Sequence, residues 1–370
     1  MKRKITMLVL ILFGSMVLVN GQEVYESVDL KFTLDLVAED LGVPWGMVQF
    51  PDGGFLVSDR GGRLLKIHPN GQITELTGVP EHAAKGQGGL LDLALHPAYA
   101  QNGWIYLSYS SVNQRGHMST SVIRFRLEND QLIDQEKIFE AAPYERTNRH
   151  FGSRLEFDND GYLYITVGDR GRRDEHPQDL SVAPGKTHRL HGNGRVPRDN
   201  PFVVDENAVA SIYTWGHRNP QGMDRHPVTG KIWTHEHGPK GGDEINILSA
   251  GTNYGWPEVT HGRNYSGTRI TRFKEKAGTA SPLHHWTPSI APCGMAFVTS
   301  ERYPGWQGHL LVGSLKFAYL DLVKLDGEKV VSEEKLLQGI GRMRNVIQGS
   351  DGYIYIGVEN PGRIYRIVPH

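Results

Sequence analysis

Asp160-Gly161-Tyr162-Leu163-Tyr164-Ile165-Thr166-Val167-Gly168-Asp169 reads as a Gly turn running into alternating aliphatic and aromatic residues, and the pattern returns five more times. The other copies begin at Asp52-Gly53 (FLVSD), Asn102-Gly103 (WIYLSYS), Thr229-Gly230 (KIWTHE), Gln307-Gly308 (HLLVGS) and Asp351-Gly352 (YIYIGVE). Gly supplies the turn conformation, and the period-two run that follows predicts a strand. Successive copies stand 50, 58, 69, 78 and 44 residues apart. A strand-rich unit recurring at about 50 residues matches a propeller blade, in which four short strands form one sheet and the sheets pack radially. Six units therefore predict an all-β fold, a six-bladed β-propeller. Turn–strand units also recur in β-sandwiches, and the uneven spacing is looser than a strict repeat. The long third and fourth intervals, however, hold Gly- and Pro-rich polar stretches such as residues 168–201, which read as loops inserted on one face, where function tends to sit. Residues 30–37 (LKFTLDLV) alternate as well and are expected to pair with strands from the C-terminal end, closing the ring and removing two sheet edges.

Composition agrees with that reading. Forty-four Gly and 20 Pro, with 9% aromatic residues, suit many short strands joined by turns. A formal net charge of −1 over 370 residues offers no basic surplus for nucleic acid. Lys2, Arg3 and Lys4 precede an apolar run over residues 5–19 that ends at Asn20 and Gly21, the pattern of a secretory signal. The run is shorter than the ~20 residues that span a bilayer, so no stable membrane insertion is expected once the signal is removed. The division expected is a signal peptide over 1–21 and one propeller domain over 22–370, in the periplasm or secreted. Cys293 is the sole Cys, so no internal disulfide can form and stability must come from packing.

Three groups of residues can carry chemistry. His150, in RHFGS, lies just before a strand, and Asp169, in GDRG, follows the next strand. A carboxylate approaching across the hairpin would bias the imidazole's tautomer and pKa, although a lone His among 17 is more often structural. Residues 216–257 crowd GHRNPQG, HEHGPKGGDE and NYGWP around one short apolar run. His235 and His237 would share a face of a strand, yet the helical HExxH spacing of a zinc site is absent. The Gly238-Pro239 pair suits a turn that aims carbonyl oxygens at a hard cation such as Ca2+, or a plain turn. Arg218, Lys316, Arg342 and Arg344 form a scattered basic group; the last two are two residues apart and on a strand would meet one anionic ligand together. The charge runs over residues 170–175 and 333–335 read as solvated loops without chemistry.

GQGGLLDLALHP, HFGSRL, GDRGR, GHRNPQG, HEHGPKGGDEIN, NYGWP, GSLK and GRMRN occur in an order that resembles the soluble aldose sugar dehydrogenases, relatives of soluble quinoprotein glucose dehydrogenase, over about residues 40–368. The resemblance implies a six-bladed propeller that uses pyrroloquinoline quinone (PQQ) and Ca2+ to oxidise an aldose sugar at C1 to a lactone, with electrons passed to an external acceptor. It implies that His150 is the general base and that Asp169 tunes it. It places Gln87, Arg218, Asn219, Thr260, Tyr265, Ser314, Leu315, Lys316, Arg342 and Arg344 at positions resembling cofactor contacts. Gly238 and Pro239 match the carbonyl ligands of the Ca2+ beside the cofactor, and Glu244 and Tyr254, the latter through its backbone oxygen, resemble ligands of a second Ca2+. The chain departs from the glucose dehydrogenase branch at Arg149, where that branch has an acid, and in the altered stretch GKTHRLHGNG at residues 185–194. The aromatic that covers the quinone in that branch matches Trp286 only with an offset of one. Two other classes stay open: a Ca2+-dependent propeller lactonase, which would not need the scattered cations, and a non-enzymatic propeller that binds sugar or protein, which would need neither the His–Asp pair nor the cations.

Overall fold

The computed structural model describes residues 18–19 and 22–370; the expected signal over 1–21, Leu18 and Val19 apart, lies outside the described residues. Six antiparallel sheets form the blades; five have their strands in sequence order, and the sixth takes its outer strands from the N-terminal end. Blade 1 is built from Pro44–Gln49, Phe55–Asp59, Leu64–Ile67 and Ile73–Glu75. The first strands of blades 2 to 6 are Leu90–Leu95, Leu155–Phe157, Pro220–Arg225, Pro292–Phe297 and Arg342–Gln348. Each first strand touches the first strands of both neighbouring blades, so the ring closes around an axis.

Every one of the six sequence units is the second strand of its blade: Phe55–Asp59, Ile105–Val112, Tyr162–Val167, Ile232–Glu236, Leu310–Ser314 and Ile354–Glu359. Its Gly turns the chain back from the first strand with φ between 68° and 90°, a region that L side chains avoid. The N-terminal strand Lys31–Ala38 pairs antiparallel with the last strand, Arg363–Pro369, and so becomes the fourth strand of blade 6. Tyr25–Glu26 adds a short fifth. The chain's beginning and end are thus joined in one sheet, as the alternation over residues 30–37 predicts.

The core consists of seams rather than one centre. Six buried apolar clusters lie one between each pair of adjacent blades; the seam between blades 5 and 6, for instance, holds Phe32, Trp306, Leu320 and Ile356. Strand reversal decides where function can gather. In a four-stranded antiparallel blade the connections after the second and fourth strands emerge on one face, and the tight Gly turns emerge on the other. Gln87, His150, Asp169, Arg218, Gly238 and Ser314–Lys316 all fall in, or at the start of, connections of the first kind. The uneven spacing comes from long connections in blades 3 and 4, residues 168–185, 192–211 and 248–283.

Candidate functional site

The segment that carries His150 is bent by its own backbone. His150, Gly152 and Ser153 have φ of 55°, 64° and 82°, so two non-Gly residues in four occupy the left-handed region. Such conformations persist where surroundings over-determine them. Here Gln87 Oε1 accepts the His150 N–H at 2.7 Å, and Asn219 Oδ1 accepts the Gly152 N–H at 3.2 Å. The guanidinium of Arg170, fully buried and 3.5 Å from the centroid of the Phe151 ring, donates to the carbonyls of Arg149 and Thr147. Gln87 and Asn219 therefore clasp the His150 loop.

His150 Nδ1 lies 2.7 Å from Asp169 Oδ1. A carboxylate only accepts, so Nδ1 carries the proton and Nε2 is left with its lone pair. Asp169 also receives the Gly171 N–H on Oδ1, at 2.7 Å, and the Trp256 Nε1–H on Oδ2, at 2.9 Å. Burial, and then the nearby Arg218, hold the His150 pKa below the usual imidazole value against the pull of Asp169. Burial alone would raise Asp169, but the bond to His150, the charges of His150 and Arg218 and the Gly171 N–H bring it below the ordinary carboxylate value. The pair is thus a neutral imidazole on a buried carboxylate, with the electronic state of a general base.

His150 and Asp169 line a cavity of about 500 Å³ together with Gln87, Arg218, Pro239 and Trp256. Its outer wall includes Arg172, Arg173, Asn264 and Tyr265. Arg173 Nη1 donates to Asn264 Oδ1 at 2.7 Å, while the Tyr265 side chain stands 74% exposed at the mouth. Of residues 170–175, expected as solvated loop, Arg172, Asp174 and Glu175 are exposed at the rim of the cavity, whereas Arg170 departs from the expectation and is buried against Phe151. Trp286 is also not an active-site platform; it is buried in the seam between blades 4 and 5. The buried aromatic in the wall is Trp256, with the Arg218 guanidinium 5.5 Å from its ring centroid. Nothing in NYGWP as a sequence singles out Trp256, and only its place in a long loop returning to this face gives it meaning.

Beside that cavity lies a second, about 10 Å³, with room for one water-sized body. Gly238, Glu236, Glu244, Tyr254 and Thr260 line it. A Cβ on Gly238 would overlap the carbonyl oxygens of Gly241 and Gly242, so the turn is a crowded oxygen cradle. Gly238 O accepts from Arg218 Nη1 at 3.0 Å, which leaves its second lone pair. Burial and the neighbouring Glu236 push the Glu244 pKa well up, a state that a cation would relieve. The Tyr254 hydroxyl is spent on Ile247 O and the Ser249 N–H. Oxygen donors, crowding and charge all fit Ca2+. The imidazoles do not supply a zinc site: His235 Nε2 is 3.1 Å from Gly294 O and His237 Nε2 is 2.7 Å from Pro292 O, and among the described residues no cluster of three or more His, Cys, Asp or Glu could hold a metal.

Asp243, which lies in HEHGPKGGDE but carries no assigned role there, ties this cradle to blade 5. Its carboxylate accepts the Gly238, Ile290 and Ala291 N–H groups and the Ser289 hydroxyl. Ser314 Oγ in turn donates to Ile290 O, and the Leu315 and Lys316 N–H groups reach Ala291 O and Ile290 O. Ser314, Leu315, Lys316, Arg342 and Arg344 stand outside both cavity walls. Arg342 Nη1 donates to Leu315 O at 3.0 Å. Arg342 and Arg344 do meet one anion together, and it is Glu359, at 3.5 Å from Arg342 and in a close bond with Arg344. Arg60, from SDRGG in blade 1, joins this group: its pKa is lowered by burial and then by Arg344.

Residues 41–366 match the profile of the family Glucose / Sorbosone dehydrogenase. The chain is 41% identical to the aldose sugar dehydrogenase YliI of Escherichia coli over 344 residues, 91% of this chain and 92% of that one. The apo crystal structure of the soluble aldose sugar dehydrogenase from Escherichia coli superposes with a TM-score of 0.87 at 38% identity, covering 92% of this chain and all of the other. The PQQ-bound aldose sugar dehydrogenase of Streptomyces coelicolor superposes with a TM-score of 0.76 at 26% identity, over 92% of this chain and 99% of that one.

Proposed function

The chain belongs to the Glucose / Sorbosone dehydrogenase family of oxidoreductases, and from that membership we propose that it oxidises aldose sugars at C1 to lactones with PQQ and Ca2+, passing the electrons to an external acceptor. The observation that carries the reading is the 2.7 Å contact of His150 Nδ1 with Asp169 Oδ1 in the wall of a sugar-sized cavity. His150 Nε2 takes the C1 hydroxyl proton as the C1–O bond becomes a carbonyl, and the C1 hydrogen leaves with its electron pair. When bound, PQQ supplies the hydride acceptor at its C5 carbonyl and Ca2+ supplies the Lewis acid that polarises that carbonyl.

The chain's own residues bind and orient. Arg218, in the cavity wall, would offer charge-assisted hydrogen bonds to the carboxylates of the quinone, and Lys316, Arg342 and Arg344, which stand outside that wall, would add theirs only on turning toward it. Gln87, Asn219, Thr260, Tyr265, Ser314 and Leu315 would complete its contacts. The carbonyls of Gly238 and Pro239 would hold one Ca2+, and Glu244 with the backbone oxygen of Tyr254 a second. Arg149 and Arg173 share the sugar wall with Asp174 and Glu175, so its charged lining is mixed. Export to the periplasm or the medium accompanies this reading and is checked by cell fractionation.

Purified apoprotein reconstituted with PQQ and Ca2+ tests the proposal. Dye reduction is expected with at least one of a panel of aldoses and none without PQQ. No reduction with any sugar would sink it, and lactone hydrolysis in the absence of quinone would establish the lactonase class instead.

A further inference from the structure

Trp256 sits where two features of the site meet. Its ring forms wall in both the large cavity and the small oxygen-lined one. Its backbone is fixed at both ends, the N–H donating to Gly216 O at 2.9 Å and the carbonyl accepting Gln178 Nε2 at 2.8 Å. The indole is itself buried, so Nε1 needs a partner, and that partner is Asp169 Oδ2.

The two oxygens of Asp169 are divided between tasks. Oδ1 takes the His150 Nδ1–H and the Gly171 N–H, whereas Oδ2 has the Trp256 indole as its one side-chain donor among the described residues. A carboxylate held at one oxygen alone can rotate about its Cβ–Cγ bond; held at both, it presents Oδ1 to the imidazole in a single orientation. We propose that Trp256 is a positioning residue for the base: through Nε1 it locks the plane of Asp169, which fixes the tautomer and the direction of His150. The ring that does this also flanks the oxygen cradle of Gly238, so a ligand pressing on one cavity wall bears on the base in the other.

The inference rests on the proposed role of His150 and adds a residue to it. The charged groups facing His150 are Asp169, Arg218 and Arg149, and Trp256 contributes no charge. Loss of the indole N–H therefore leaves the same charges with a more basic Asp169. Trp256→Phe removes the donor and keeps an aromatic ring under Arg218. In the apoprotein, the His150 imidazole followed by NMR is expected to titrate at a pH higher by about 0.5–1, because a carboxylate that loses a donor holds the Nδ1 proton more strongly. In the reconstituted enzyme the acid limb of kcat/KM should move up with it, and kcat should fall about ten- to a hundredfold, the range for one hydrogen bond to a charged group, with KM nearly unchanged. A benzothienylalanine in place of Trp256, with sulfur where the N–H was, keeps the indole's shape and should reproduce the effect if the phenyl variant folds poorly. An unmoved NMR titration in a folded variant would overturn the inference, as would a fall in kcat with an unmoved acid limb. His150→Ala separates the two levels: unchanged turnover there refutes the base itself, while the apoprotein titration reads the Trp256 coupling without any catalysis.

Discussion

His150 spends its backbone and its ring on the same end. Its left-handed φ is held by Gln87, and its Nδ1 by Asp169, so Nε2 is the atom left for chemistry. Because burial lowers its pKa, the imidazole is neutral at pH 7 and becomes inactive only on acidification. The rate should be flat at and above about pH 6.5, the ordinary imidazole value, with its acid limb lying below that value. Asp169→Asn removes the group that raises the His150 pKa, so the remaining acid limb should shift lower, while kcat drops by about 100-fold or more because an amide can stabilise the wrong tautomer. A pH–rate series on both proteins checks this, and an unchanged kcat in the Asn variant would count against the pairing. Both residues are legible in the sequence because they flank a hairpin: His150 precedes its first strand, Leu155–Phe157, Asp169 follows its second, Tyr162–Val167, and antiparallel pairing brings those two ends together. Trp256 is not legible there, since it approaches Asp169 across 87 positions of chain through a loop with no periodic signal.

Strands carry the fold with few exceptions, and one of them has a measurable cost. Asp321, in the blade 5 strand Tyr319–Asp326, is buried in the seam, and among the described residues neither of its oxygens has a partner at hydrogen-bonding distance. Burial, reinforced by Glu333, pushes its pKa up to about 7, with Lys335 and the Trp286 indole only tempering the rise. The folded state therefore binds this proton more tightly than the unfolded chain, and stability is present below about pH 4 and lost as pH rises toward 7. Asp321→Asn mimics the neutral carboxyl. It should melt higher than the parent at pH 8, by up to about 4 kcal/mol, the linkage free energy of a carboxyl carried from its ordinary range to about 7, with the gap closing toward pH 4. Melting curves across that range check the sign, and a variant less stable at pH 8 would contradict it. The turn–strand units are readable because Gly and alternation are local signals. The pairing of Arg342 and Arg344 with Glu359 is hidden, since it depends on which strand lies beside which.

The closed ring makes the whole molecule depend on its first long strand. Lys31–Ala38 completes blade 6, and Phe32 is buried against Trp306 with ring centroids 5.5 Å apart. Phe32→Ala should cost about 3–5 kcal/mol and lower the melting temperature of the entire propeller in one transition, because opening one seam exposes two sheet edges. Calorimetry showing an unchanged midpoint would refute that role for the strand. Closure also explains why six connections from distant parts of the chain share one face, which is how His150 comes to share a cavity with Arg218 and Pro239. The number of blades is countable in the sequence; the burial of Arg170 and of Trp256 in their loops is not, because long polar loops look alike whether they face solvent or a cavity. The central claim is that His150 removes the hydroxyl proton as the C1 hydrogen departs with its electrons. Stopped-flow reduction of PQQ by an aldose, comparing the reconstituted parent with His150→Ala at equal quinone occupancy, tests it most directly. Reduction slower by about 100-fold or more in the variant, the range for a lost general base, is expected; reduction at the parental rate would contradict the claim.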